Sequence, residues 1–316
     1  MKKMTALLLC IAMLLTFAAC GSSGEPAPTD APTVSATDPA EETVASTNAP
    51  TDTPTEPVDT RSEMGETVLI DNEQVSFTVK SVETNDHMGM QLQVQCVNKT
   101  ENNLMFSWDM VSVCGFMYDP MWAEEVAAGK IANSTVYLDT YALEKMGIVS
   151  VDEITFTLRI FDSENWMEAP LVQEVFTVYP TGLSAETLML PQREETRGQS
   201  VIVDNENVRF VIEWADAEDA AEYTVYVYME NKTDRNLMYA WDLVSVNGFM
   251  VDPFWSATVA AGRKACSQIT FFRSELEANG IEDVAEIAFK LTVSDYDNWE
   301  ADFLLEESFT YIPAKG

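Results

Sequence analysis

Histidine is nearly missing from this chain: His87 is the only one in 316 residues. A hydroxyl or thiol nucleophile activated by an imidazole therefore has one place to be built, in a loop rich in Asn, Asp and Gly. We read His87 as an exposed loop residue. Basic residues are scarce as well. Eighteen Lys and Arg stand against 52 Asp and Glu, a formal net charge of −34. Such a chain repels nucleic acid and anionic head groups, so no nucleic-acid partner is expected. The five cysteines lack zinc spacing, and there is no glycine-rich phosphate loop. Paired carboxylates are plentiful by composition alone and carry no catalytic information. No catalytic, cofactor or metal residue is assigned.

Long apolar runs are also absent, with one short exception. Ala6 to Phe17 is uncharged and apolar behind Lys2 and Lys3, too short to span a bilayer comfortably and of the length expected in a secretory leader. It ends in Phe17-Ala18-Ala19-Cys20-Gly21. Small residues directly before a cysteine at the end of such a run resemble the lipobox of bacterial lipoproteins. Phe17 departs from the aliphatic residue usual there. The resemblance implies lipidation of Cys20, cleavage before it, and anchoring at the extracellular face of the cell membrane. Loss of Lys2 and Lys3 with the leader leaves 16 basic against 52 acidic residues. Residues 21 to 63 contain no aromatic, Leu or Ile and cannot bury enough apolar surface to offset chain entropy. They read as a tether. A proline-rich, like-charged chain of this length reaches at most about 130 Å.

The rest of the chain says one thing twice. Asn98-Lys99-Thr100, Trp108-Asp109, Gly115-Phe116-Met117 and Asn165-Trp166 recur as Asn231-Lys232-Thr233, Trp241-Asp242, Gly248-Phe249-Met250 and Asn298-Trp299, always 133 residues on. Between Asp71 and Pro180, 47 of 110 positions equal their partners between Asp204 and Pro313, without a gap. The expected organisation is a leader (1–19), a tether (20–63), one repeat (64–180), a linker (181–197) and a second repeat (198–316). A unit of about 115 residues is large enough for its own core. After Cys10 and Cys20, the remaining cysteines are Cys96, Cys114 and Cys266, whose counterparts are Met229, Asn247 and Asn133. Neither copy therefore depends on a bridge at a shared position. Free thiols are expected, with a Cys96–Cys114 bond as the alternative.

Inside each repeat the period is two. Val75, Phe77 and Val79 alternate with polar residues, as do Met90, Leu92, Val94 and Cys96, and Ile154, Phe156, Leu158 and Ile160. That is the mark of antiparallel strands with one face buried. Thr140 to Gly147, and Ser274 to Gly280 after it, read as short helical turns closed by glycine. About seven short strands per unit predict an all-β protein of two tandem immunoglobulin-like antiparallel β-sandwiches, each with one short helical turn.

The run Asn98-Lys99-Thr100, a strand through Trp108-Asp109, Gly115-Phe116, then Ala127-Ala128-Gly129-Lys130 and a further strand resembles a family of uncharacterised domains. These domains occur on Gram-positive lipoproteins behind low-complexity tethers. The resemblance covers most of residues 66 to 180 and 199 to 313. It implies an immunoglobulin-like fold, an extracellular place and a non-enzymatic role, and it transfers no catalytic residue.

The candidate binding residues are tryptophans. Trp108 lies in phase with Leu104, Phe106 and Met110 and is expected in the core. Trp122 and Trp255 follow an Asp-Pro turn, and Trp166 and Trp299 an Asp-x-x-Asn turn. These four are the residues placed to stack on a sugar ring or a partner's side chain, or else to plug the ends of the fold. Calcium is the one ion the acids suggest, through Asp295-Tyr296-Asp297-Asn298, but a full loop signature is lacking. The functional expectation is a non-catalytic binding or spacer module for a wall, glycan or protein ligand. A wall hydrolase or a purely structural stalk is the alternative.

Overall fold

The runs that alternate apolar and polar side chains are strands. The computed structural model describes residues 64–85, 89–191 and 193–314, with backbone alone at 84 and 85. The leader, Cys20, the tether and His87 lie outside the described residues. Those described form an all-β protein with two six-residue helices.

The first repeat runs β1 (Thr67–Asp71), β2 (Val75–Asn85), β3 (Gly89–Asn98), β4 (Leu104–Val113), β5 (Phe116–Met117), β6 (Ala123–Val126), β7 (Ile131–Leu138), α1 (Thr140–Lys145), β8 (Ile154–Asp162) and β9 (Val172–Val178). The second runs β10 (Ser200–Asp204), β11 (Val208–Asp216), β12 (Glu222–Asn231), β13 (Leu237–Val246), β14 (Phe249–Met250), β15 (Ser256–Val259), β16 (Lys264–Phe272), α2 (Arg273–Ala278), β17 (Ile287–Asp295) and β18 (Leu305–Tyr311). The connectivity is the same twice: β1-β2-β3-β7 matches β10-β11-β12-β16, and β5-β4-β8-β9 with β6 on β4 matches β14-β13-β17-β18 with β15 on β13.

In each repeat the two layers share an apolar core. Phe77 from β2 meets Phe106 and Trp108 from β4, and Trp108 stacks on Phe156 from β8 at 3.7 Å. The second copy repeats the set with Phe210, Tyr239, Trp241 and Phe289. Fully burying one such phenylalanine stabilises the fold by about 2–3 kcal/mol. The alternation is broken in one place. Pairing of β4 with β8 slips between Asp109 and Ser112, and Met110 takes a φ of 50°. Leu243 does the same at 51°. This bulge turns the strand over, so Val111 and Val113 are buried in place of Met110, the residue the simple period had put beside Trp108.

The repeated motifs are mostly architecture. Asn98 is buried; its Nδ2 donates to the carbonyls of Asn102 (2.7 Å) and Val126 (2.9 Å), and its Oδ1 accepts from the Thr100 amide (2.9 Å) and hydroxyl (2.8 Å). Lys99 donates to Asp71 at 2.5 Å, tying β3 to the end of β1. Asn231, Thr233, Lys232 and Asp204 do the same. Each helix closes as the glycine predicted: the Gly147 and Ile148 amides donate to the carbonyls of Glu144 and Leu143, with Gly147 at φ 80°, and Gly280 and Ile281 repeat the pattern.

One feature departs from two separate bodies. Residue Lys264 at the start of β16 pairs in parallel with Phe116 of β5. One nine-stranded sheet therefore contains a layer from each repeat. Arg263 adds an ion pair to Glu153 (3.4 Å) and a hydrogen bond to the Thr155 hydroxyl (3.2 Å). Val211 and Tyr228 of the second repeat belong to the first repeat's core, and Met117 packs on the second. The segment between the repeats is docked too. Arg193 donates twice to Glu213 Oε1 (2.7 and 3.1 Å) while its guanidinium lies 4.3 Å from the Tyr228 ring centre.

Candidate functional site

The join leaves a cleft of about 710 Å³ between the repeats. The outer face of β4 and β8 supplies one wall, with Asp109, Thr157 and Arg159; Met117 and Tyr118 follow from the end of β5. β15 and β16 supply the other, with Thr258, Cys266 and Ser267, and the loop after β17 adds Tyr296 and Asp297. Alternation puts Asp109, Thr157 and Arg159 outward by necessity, because their neighbours Trp108, Phe156 and Leu158 point into the core.

Asp109 sits in a recess. Water reaches it, yet protein atoms crowd it. That desolvation is the main reason its carboxyl is held above the ordinary range; Arg159 opposes the rise, Asp119 adds to it and the Ser107 hydroxyl counters it. The Arg159 guanidinium lies 4.3 Å from the Phe161 ring centre, a cation–π contact. Cys266 is exposed on the cleft wall, yet protein atoms crowding its sulfur first and Glu213 next push its thiol up to about 11, with Arg193 opposing. It is a neutral thiol at physiological pH and a poor nucleophile. Cys96, Cys114 and Cys266 are all free.

The four candidate tryptophans separate into two pairs. Trp122 and Trp255 are core. Their rings pack on Trp108 and Trp241 at 5.7 and 6.0 Å, and each indole N–H donates inward to a serine hydroxyl, Ser134 (3.1 Å) or Ser267 (3.0 Å). The Asp-Pro turn that suggested projection instead folds them under, through Met121 at φ 52° and Phe254 at 48°. Trp166 and Trp299 are exposed, by 52% and 73%. None of the four lines the cleft, though Trp299 follows Tyr296 and Asp297 closely in the chain.

The leading acid of the Asp295-Tyr296-Asp297-Asn298 stretch bonds to the stretch's own backbone. Asp295 Oδ1 accepts from the Asp297 (3.0 Å) and Asn298 (3.1 Å) amides, and its Oδ2 from Arg235 (3.2 Å). Asp162 is the counterpart. Desolvation pushes its carboxyl up, but the amide of Glu164, the side chain and amide of Asn165 and the side chain of Asn102 together bring it below the ordinary range. These are turn caps. Among the described residues no group of three or more His, Cys, Asp or Glu is placed to hold a metal ion.

Arg159 is the cleft residue that sequence reading passed over. Its counterpart is Thr292, and an isolated cation at a position the other copy leaves neutral, in so acidic a chain, was the available signal.

No family model matches the chain, and no curated protein matches it. Among solved structures, a protein of unknown function from Porphyromonas gingivalis W83 is similar at 11% identity, over 78% of this chain and 98% of that one, with a TM-score of 0.20. A deletion mutant of Bacillus subtilis oxalate decarboxylase follows at 9% identity, over 78% of this chain and 82% of that one, with a TM-score of 0.09. Scores this low bear on neither fold nor function.

Proposed function

We propose that this protein is a lipid-anchored extracellular lipoprotein. Its folded part is a non-catalytic module of two immunoglobulin-like sandwiches, and the cleft between them takes a glycan or peptide ligand. The leader and Cys20 motivate the anchor, and the duplicated strand order supports two like sandwiches. The observation that carries the binding reading is the join itself. The β16–β5 pairing and the Arg263–Glu153 ion pair hold two walls in register around one recess. Fixed walls reduce the ordering cost of binding. The groups they offer suit a polar ligand: a guanidinium, carboxylates, hydroxyls and the aromatic edges of Tyr118 and Tyr296.

The stalk reading retains a specific support in Arg193, which fastens the linker to the second repeat. One experiment separates the two. The full chain in lipid nanodiscs is titrated with soluble wall fragments, host glycans and peptides. A binder in the panel whose affinity falls about tenfold or more in Arg159→Ala, and is unchanged in Trp166→Ala, supports the cleft. Binding that ignores Arg159→Ala removes it, and a panel with no binder leaves the stalk. The anchor is checked alongside, since Cys20→Ala is expected to move the protein from membrane to medium.

A further inference from the structure

The surface by which the first repeat holds the second exists again on the second repeat, uncovered. Phe116 is 1% exposed because Lys264 and its strand lie against it; Phe249, its counterpart, is 49% exposed. Met250 is 66% exposed, where Met117 packs on the second repeat's core. Glu153, which receives Arg263, is buried, and its counterpart Glu286 is exposed. The hairpin that presents this surface is built identically: Asn247 and Gly248 at φ 50° and 85° match Cys114 and Gly115 at 48° and 83°.

The matching plug is on the first repeat. Lys130 and Ile131 at the start of β7 stand where Arg263 and Lys264 stand at the start of β16. Lys130 is exposed and Ile131 is 63% exposed. The backbone is in the same phase. The Asn98 amide donates to the Lys130 carbonyl (2.9 Å), as Asn231 does to Arg263 (3.0 Å). An antiparallel ladder in that phase turns the next amide away from its partner strand. In the second repeat that amide, of Lys264, donates to the Gly115 carbonyl at 3.0 Å. Ile131 therefore aims its amide off the free edge of β7.

We propose that the exposed face around Phe249, Met250 and Glu286 is a docking site for a second copy of this chain, entered by the Lys130–Ile131 edge of that copy's first repeat. The contact continues the one already made inside the chain. The Ile131 amide donates to the Gly248 carbonyl, its side chain covers Phe249, and Lys130 meets Glu286. The arrangement is head-to-tail, so it leaves a free plug and a free socket at the ends and grows as an open row. It is weaker than the internal contact, because Thr78 and Gln95 stand where Val211 and Tyr228 stand in the second repeat.

The test is sedimentation velocity of the full chain in detergent micelles over about a hundredfold range of concentration. The mean mass of the wild type is expected to rise with concentration. Phe249→Asp and Ile131→Asp, both at exposed positions, are each expected to remain monomeric with an unchanged melting temperature. Mixed together they are expected to form dimers and nothing longer, because each retains one half of the contact. Glu286→Lys weakens association about tenfold or more, and Lys130→Glu in the same chain restores it. A wild type that stays monomeric overturns the proposal. So does a single variant that still associates, a mixture that stays monomeric or grows beyond dimers, or a charge swap that fails to rescue.

Discussion

Phe116 and Phe249 sit in nearly the same ten-residue stretch, Val-Ser-Val-x-Gly-Phe-Met-x-Asp-Pro, on the same two-residue strand, and meet opposite environments. The first is sealed beneath β16; the second faces solvent. Local sequence therefore sets the hairpin and the direction of its side chains, and chain order decides which copy is covered. A second contrast lies two residues earlier. Asn247 spans its loop with three good hydrogen bonds: Nδ2 to the Asp283 carbonyl (2.7 Å), and Oδ1 from the amides of Ala285 (2.9 Å) and Glu286 (3.0 Å). Cys114 reaches the equivalent places with sulfur, donating to the Ser150 carbonyl and accepting from the Asp152 amide at 3.4 Å each. One scaffold thus carries a strong and a weak version of the same clasp.

The comparison breaks most sharply at the paired phenylalanines. Phe116→Ala is expected to cost about 3–5 kcal/mol and to loosen the join, whereas Phe249→Ala costs less than about 1 kcal/mol. Denaturant unfolding of the monomeric full chain measures both, and equal effects would mean that Phe116 is not covered by the second repeat. Smaller is the clasp. Cys114→Asn is expected to gain about 1 kcal/mol and Asn247→Cys to lose about as much, read as opposite shifts in melting temperature. Smallest is Asp109. Its folded-state pKa is raised, so its ionised form opposes folding, and that opposition builds as pH rises from the ordinary aspartate value to the raised folded one. Asp109→Asn is then expected to stabilise slightly at neutral pH, with the gain fading as pH falls through the folded value and gone below the ordinary aspartate range. A gain that grows on acidification would contradict the recessed environment described for this carboxylate. Asp242→Asn serves as the control in the other copy.

Much of the fold was legible because period-two alternation follows from the pleat alone. Val75-Phe77-Val79 and Ile154-Phe156-Leu158 needed nothing else. The glycine stops at Gly147 and Gly280 were equally local. The fate of Trp122 and Trp255 was not, since it turns on a left-handed backbone at Met121 and Phe254, residue types that rarely adopt it. The hairpin that joins the repeats carries Cys114-Gly115, a weak mark; its copy in the second repeat carries Asn247-Gly248 between apolar residues, the strongest short-range mark of a tight hairpin. The cleft had almost none. Asp109 was visible only as a duplicated acid, and Arg159 as one outward residue of a strand.

Sequence alone determined the strands, their faces, the turns and the duplication, because each depends on the stereochemistry and polarity of residues close together in the chain. Only tertiary structure decided that Lys264 lies on Phe116, that Arg159 and Tyr296 face one recess, and that one of two equal sockets is filled. Those facts depend on how a linker lets two finished surfaces meet, and neither periodicity nor propensity carries that information.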